Sequence, residues 1–346
     1  MLSYKSIQSK LFKDSSNVWL VTGVAGFIGS NILEKLLTLN QQVIGLDNFS
    51  NGSKENILLA INNAAEKNNL SISTIKKNFN FIEGDISDIK ICKKILRKTD
   101  YVLHQAAIGS VPRSIKNPII YNKSNVEGFL NILYESMKAN VKSFVYASSS
   151  SVYGDSSCDI KKESIIGAPL SPYALTKRIN ELYADIFQKN YKFTSIGLRY
   201  FNVFGIRQDP FGPYAAVIPK WINALMNNED VYINGDGTTT RDFCYVDNCV
   251  QMNILSAIYP RPKQNLIFNV AANQSTSLLS LYELIRTKLE QKIKLDSKPP
   301  IFRDFRKGDI KHSLADISYA QKILGYVPEY SVDEGLELLI DKLVNR

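Results

Sequence analysis

The sequence predicts an α/β protein organised around a doubly wound parallel sheet, and three observations carry that reading. Apolar strand-like runs alternate with long helical patterns over roughly the first 200 residues, as expected of parallel strands joined by crossover helices. The first run, Val18-Trp19-Leu20-Val21, enters a glycine-rich turn, Thr22-Gly-Val-Ala-Gly-Phe-Ile-Gly29, that leads directly into a helix. The second run, residues 42–46, ends on an acid, Asp47, 24 residues after Gly23.

Residues 1–16 read as a polar leader before the first strand. Residues 27–39 then place Ile28, Ile32, Leu33, Leu36 and Leu37 at helical spacing. Residues 54–78, polar and rich in Asn and Lys, read as a helix plus a surface loop. Further strands are expected at 80–83, 101–105, 143–148 and 194–200, with long helices at 125–139 and 172–190. After Tyr200 the alternation loosens. Residues 201–212, 234–242 and 298–311 read as loops carrying polar groups, Pro299-Pro300 marks a break, and helices at 316–324 and 332–344 close the chain. The expected organisation is a Rossmann-type domain over 17–200 and a smaller, mostly C-terminal α/β substrate lobe over 201–346. The two interleave without a clean linker.

Strand, glycine turn and helix stand in the order that phosphate binding requires. Gly23 permits the tight turn, Gly26 lets backbone approach a pyrophosphate, and Gly29 lets the helix pack closely. The helix N-terminus then faces the phosphates with its partial positive charge. Asp47 stands where an acid holds the adenosine ribose hydroxyls. It repels a 2′-phosphate, and Asn48-Phe49-Ser50 supplies no Arg to neutralise one, so the expected cofactor is NAD rather than NADP.

Downstream lies Tyr173-Ala-Leu-Thr-Lys177. A Tyr and a Lys four apart share one helix face. An unperturbed phenol titrates near ~10, and bringing it to ~7 takes about 4 kcal/mol. One positive charge ~4 Å away supplies about that much at an effective dielectric of ~20. The pair therefore predicts a phenolate that takes a proton from an alcohol while hydride leaves for NAD.

At 346 residues and 45% apolar content the chain can bury a substantial core, and no apolar run reaches the length of a membrane span. The net charge of +9 is dispersed, and the sequence holds no nucleic-acid module. Cys92, Cys158, Cys244 and Cys249 lack metal-like pairing and read as reduced cytoplasmic thiols. No metal is expected.

The motifs together resemble the extended short-chain dehydrogenase/reductase superfamily and, within it, the nucleotide-sugar 4-epimerases. They are TGVAGFIGS, LDNFS, EGDI at 83–86, HQAA at 104–107, SSSSVYG at 148–154, SPYALTK, RYFNVFG at 199–205 and NGDGTTTRDFCYVDN at 234–248. SVPRS at 110–114 and FRKGDIKHS at 305–313 resemble a bacterial subgroup acting on UDP-N-acetylhexosamines (UDP-GlcNAc/UDP-GalNAc) and their uronic acids.

The resemblance implies Tyr173, Lys177 and Ser149 as catalytic residues, with Ser149 bonding the sugar O4. It implies backbone of Phe27 and Ile28 on the pyrophosphate, Asp47, Asn48 and Ser50 around the ribose with Gly52 among the cofactor contacts, and Asp85 and Ile86 against adenine. Gln105, Ala106 and Asn125 would lie along the cofactor, with Tyr200 and Val203 beside the nicotinamide. On the substrate side it implies Gly109, Ser110, Ser149, Ser150 and Tyr173, Asn202 near the diphosphate, and Val217, Tyr232 and Asn234 near uridine. Arg241 and Arg306 would hold phosphates, and Asp309 would touch ribose or orient Arg306. A homodimer is also implied.

The serine run separates the possible chemistries. Related sugar dehydratases carry an Asp-Glu pair where Ser150 and Ser151 stand here, and UDP-glucuronate decarboxylases a Glu at the second position. Losing water from C5–C6 needs an acid and a base of useful pKa, which serines are not. Epimerisation needs only removal and return of the O4 proton and the C4 hydride. The alternatives are a UDP-glucuronate or UDP-glucose 4-epimerase and, from another class, a non-catalytic NAD-sensing protein, whose typical members lack the Tyr-Lys pair.

Substrate size rests on Ser313. The resemblance places a gate two residues before Ala315-Asp316, occupied by a bulky Tyr in epimerases restricted to UDP-glucose and UDP-galactose. Serine would leave room for a C2 acetamido group. The other reading is that Ser313 caps a helix beginning near Asp316.

Overall fold

The computed structural model describes residues 3–211, 215–296, 298–305 and 311–345. Strands β1 (Val18–Thr22), β2 (Gln42–Asp47), β3 (Phe79–Glu83), β4 (Tyr101–His104) and β5 (Ser143–Ser149) join the strands Ile196–Tyr200 and Leu266–Val270 in one parallel sheet of seven. In space β1 lies between β2 and β4. The chain runs from β1 through β2 to β3 on one side, then returns to β4 and β5 on the other. That reversal opens a crevice at the carboxyl ends of β1 and β4, where sheets of this kind bind their ligands. Trp19, Leu20 and Val21 in β1 are fully buried, as a central parallel strand covered on both faces requires.

Residues expected as a leader form α1 (Tyr4–Lys13) instead, capped by Ser3. Ile7 and Leu11, four apart, share its buried face. Gln41 Nε2 donates to the carbonyls of Leu11 (2.6 Å) and Asp14 (3.0 Å), while its Oε1 accepts from Trp19 Nε1 at 2.9 Å. The segment is welded to the core beneath α2 (Phe27–Thr38). The polar stretch 54–78 holds two helices, α3 (Lys54–Asn68) and the short Ile72–Lys76. The helix expected at 125–139 is a π-turn, Lys123–Glu127, followed by an α-helix, Gly128–Lys138.

Three elements cross the boundary placed at residue 200. Leu266–Val270 pairs with Ile196–Tyr200 at the edge of the main sheet, and the helix Val246–Ile258 packs into the main core. In return, Ile160–Lys161 joins a small sheet with His312–Ala315, Thr240–Arg241 and Thr276–Ser277. Ile301–Arg303, within a stretch read as loop, pairs with Tyr232–Asn234, and Val203–Phe204 pairs with Cys244–Tyr245. A second core around Trp221, Tyr282 and Leu336 supports these short strands. Among the described residues no helix is long and apolar enough to cross a membrane.

Candidate active site

A cavity of about 470 Å³ opens at the crevice. Gly23, Gly26, Phe27, Ile28, Gly29, Asp47, Asn48, Ser50 and Gly52 line it from the β1 and β2 side. Of the other predicted residues, Asp85, Ile86, Gln105, Ala106, Gly109, Ser110, Tyr173, Lys177 and Tyr200 also line it, while Ser149 lies just outside the lining.

The glycine loop fits a dinucleotide. Gly23 adopts φ +70, and a Cβ there would lie 2.8 Å from the backbone of Ala106. A Cβ on Gly29 would lie 2.0 Å from the Gly23 carbonyl oxygen. Helix α2 starts at Gly26 with no side-chain cap, so its first N–H groups are available to an anion at the cavity. Asp47 closes the turn: its Oδ2 accepts from Ala25 N–H (2.9 Å) and its Oδ1 from Phe49 N–H (2.8 Å). Each oxygen retains a lone pair for a ribose hydroxyl. Burial pushes the Asp47 carboxyl above its ordinary range against those two bonds. Asn48 Nδ2 donates to Asp85 Oδ2 at 2.7 Å, tying the loop after β2 to the loop after β3.

Strand β5 delivers Ser149, whose Oγ accepts from Ser151 N–H at 3.1 Å and bonds the phenol of Tyr173. Ser171 caps the helix Pro172–Tyr191, placing Tyr173 in its first turn and Lys177 one turn later. Lys177 Nζ donates to the Ala147 carbonyl at 2.8 Å. The surroundings oppose the electrostatics that the spacing suggests. Lys177 is buried and Tyr173 half-buried. Burial raises the Tyr173 phenol, opposed by its Ser149 bond, and lowers Lys177 to about 8. In the protein alone, desolvation outweighs the attraction that the four-residue spacing suggested, because it penalises each charged form separately.

Several supporting residues escaped the sequence reading. Tyr121 sets its ring edge-on to Tyr173 at 6.3 Å, and its hydroxyl donates to the Gly109 and Ser110 carbonyls. Gln105, Tyr200 and Asn253 close a triangle: Tyr200 OH donates to Gln105 Oε1 (2.9 Å), Gln105 Nε2 to Asn253 Oδ1 (2.9 Å), and Asn253 Nδ2 to the Tyr200 oxygen (2.8 Å). Ser148 Oγ donates to Glu181 Oε1 at 2.7 Å, and Arg199 grips both Glu181 oxygens at 2.9 Å. This buried network joins β5 to the helix carrying Tyr173 and Lys177. Glu181 lies four residues beyond Lys177, and that helical spacing was its available signal.

Other predicted residues lie off the cavity. Asn125 clamps Ile108, accepting from its N–H (2.7 Å) and donating to its carbonyl (3.0 Å), so it shapes the wall from behind. Val203 packs into the core, and Ser150 opens the 3₁₀ turn Ser150–Tyr153. Asn202 Nδ2 donates to the Asp242 carbonyl at 3.0 Å. Val217 begins the helix Val217–Met226. Tyr232 and Asn234 share one short strand, with the Arg303 guanidinium 3.4 Å from the Tyr232 ring centre. Arg241 Nη1 donates to the Thr240 carbonyl at 2.8 Å. Ser313 stands opposite Arg241 in parallel strands. It caps no helix, since the next one begins at Ser318 with Ile317 at its N-cap. Arg306 and Asp309 lie outside the described residues. Cys244 and Cys249 are buried free thiols with sulfurs 3.7 Å apart, and the described residues form no cluster able to hold a metal.

Residues 19–271 match the NAD dependent epimerase/dehydratase family. The chain belongs to this family. A putative UDP-glucose 4-epimerase of Methanocaldococcus jannaschii is 34% identical, over 94% of this chain and 98% of the relative. A UDP-glucuronate 4-epimerase of Thermodesulfobacterium geofontis is 32% identical, over 93% and 95%. Among solved structures, a UDP-N-acetylglucosamine 4-epimerase from Methanobrevibacter ruminantium in complex with UDP-N-acetylmuramic acid is 39% identical. It superposes with a TM-score of 0.83 over 95% of this chain and 98% of that one. The epimerase family's cofactor, NAD, is the one that the glycine loop and Asp47 suit.

Proposed function

We propose that this protein is a UDP-sugar 4-epimerase whose preferred substrates are UDP-N-acetylhexosamines, UDP-GlcNAc and UDP-GalNAc or their uronic acids. The observation that carries the reaction is that Tyr173 and Lys177 both line the dinucleotide cavity, with Ser149 beside the Tyr173 phenol. Bound NAD supplies a hydride acceptor that returns what it takes. Tyr173 removes the O4 proton and gives it back after the flat 4-keto sugar has turned over. Ser149 both donates and accepts, so its hydroxyl follows the sugar oxygen from alcohol to ketone and back. Lys177, fixed on the Ala147 carbonyl, holds its charge one helical turn from the phenol. Ser150 and Ser151 offer no acid–base pair for dehydration.

The N-acetylated sugar is supported by the small side chain of Ser313 beside Arg241 and by the 39%-identical UDP-N-acetylglucosamine 4-epimerase. The relatives named for UDP-glucose and UDP-glucuronate favour the second reading, an epimerase of those sugars. Purified protein is incubated with each UDP-sugar and followed by NMR at the anomeric proton. The expected result is interconversion of UDP-GlcNAc and UDP-GalNAc without net NADH. Faster turnover of UDP-glucose or UDP-glucuronate would select the second reading, and stoichiometric NADH would indicate a dehydrogenase instead.

A further inference from the structure

Among the described residues, four charged side chains line the cavity: Asp47, Asp85, Lys177 and Arg113. Three are committed. Asp47 accepts from two backbone amides, Asp85 from Ser87 N–H (2.7 Å) and Asn48 Nδ2 (2.7 Å), and Lys177 is fixed on Ala147. Arg113 belongs to the SVPRS segment, on the short helix Val111–Lys116 after β4. Its Nη1 donates to a neutral oxygen, Asn51 Oδ1, at 3.0 Å. A guanidinium carries five donors in a planar fork, so this bond leaves most of it for an anion.

The two partners stand on opposite walls. The segment carrying Asn51 is tied to the glycine loop, because Ser53 N–H (3.1 Å) and Asn56 Nδ2 (2.9 Å) both donate to the Ala25 carbonyl. Arg113 rises from the wall across the crevice, where the Ser110 hydroxyl accepts from its backbone N–H at 3.3 Å and Tyr121 pins the Gly109 and Ser110 carbonyls. The Arg113–Asn51 bond therefore spans the cavity from the β4 side to the glycine-loop side. A pyrophosphate at the start of α2 brings two negative charges into this space, and the helix terminus offsets them only by partial charge.

We propose that Arg113 is a cofactor-retaining residue: its guanidinium pairs with the pyrophosphate of bound NAD and, through Asn51, straps the cavity over it. The proposal rests on NAD binding and is independent of which sugar the enzyme turns over. A reaction that returns its hydride at each cycle gains from a cofactor that stays.

The test uses the holoenzyme as purified, without sugar. NAD is quantified by mass spectrometry after timed dilution and gel filtration, giving a dissociation rate. Arg113→Ala should release NAD about tenfold faster or more, as loss of a charge-assisted bond predicts. Arg113→Lys should fall between, keeping charge without the fork, and Asn51→Ala should accelerate release less. Melting with saturating NAD checks the fold. If Arg113→Ala does not fold, the Lys and Asn51 variants decide by the same rate. Wild-type release rates in the folded variants overturn the proposal, as does a raised KM for the UDP-sugar with NAD retention unchanged, which would assign Arg113 to the substrate.

Discussion

The cofactor-facing and sugar-facing halves of the molecule hold their chemistry in different ways. Around the dinucleotide, the groups sit at the ends of strands fixed by continuous parallel ladders, such as the five residue pairs joining β1 to β2. Around the proposed sugar site, they sit on strands of two to four residues: Thr240–Arg241, Tyr232–Asn234 and His312–Ala315. One acid organises each half. Asp47 ties two turns of a loop already anchored by the sheet, whereas Asp242 accepts from Ala272 N–H (3.0 Å) and Ala315 N–H (3.3 Å), joining segments far apart in sequence. Burial raises both acids, Asp242 to about 7. The backbone ladder makes one half a fixed seat for a resident cofactor. The other half depends on single side chains, which suits a pocket in which a sugar must turn.

Substitutions in each half test this contrast. The largest effect is expected in the fixed half. Tyr173→Phe keeps the ring against Tyr121 but loses the proton acceptor, so turnover should fall ~10²–10⁴-fold with NAD content and melting unchanged. Near-wild-type turnover would remove the phenol from the mechanism. Ser149→Ala should fall less steeply, since Ser150 or water can partly replace it.

Next comes Glu181→Ala, which leaves the Arg199 guanidinium buried without its counter-charge. Truncating one partner of such a pair costs about 3–5 kcal/mol, readable in urea unfolding. A loss below 1 kcal/mol would mean that this network does not brace β5 against the catalytic helix.

Lys177 and Asp242 should also differ in the sign of their pH dependence. Lys177 titrates at about 8 when folded against an ordinary 10.5, so the unfolded chain binds more protons between those values. Its contribution to stability therefore rises by about 3 kcal/mol as pH climbs through that window. Asp242 titrates at about 7 against 3.8, so the folded state binds more protons. Its contribution falls as pH rises from 3.8 to about 7, by about 4 kcal/mol. In denaturant titrations at stepped pH, Lys177→Met should flatten the first slope and Asp242→Asn the second. A variant that changed neither slope would place its titration elsewhere.

Ser313→Tyr tests the looser half. It should cut turnover of UDP-GlcNAc and UDP-GalNAc about tenfold or more while sparing UDP-Glc and UDP-Gal, because a steric gate acts on the group that it meets. Equal losses for both classes would make Ser313 structural. The smallest effect belongs to Arg286→Ala: its pairs with Glu283 (2.7 Å) and Glu290 (2.9 Å) are partly exposed, and urea unfolding should change by about 0.5 kcal/mol or less. A larger loss would show that the C-terminal half relies on surface ion pairs.

Features that depend on near neighbours were legible in the chain. The order of strand, glycine turn and helix, the acid ending β2, and Tyr173 one turn before Lys177 are local patterns; they identified the cofactor and point to the proposed acid–base pair. Tertiary structure alone decided which distant segments meet. It brought Asn253 to Tyr200 and Gln105, and it carried Leu266–Val270 into the main sheet. It also turned residues 4–13 from an expected leader into a docked helix, and set Ser313 on a strand rather than at a helix cap. Strand pairing joins residues separated by tens to hundreds of positions, and no local period encodes the partner. The Tyr173 and Lys177 titrations belong to the same class. Spacing shows that an ammonium stands near a phenol, but the desolvation that raises one and lowers the other comes from the whole shell of packed atoms around them.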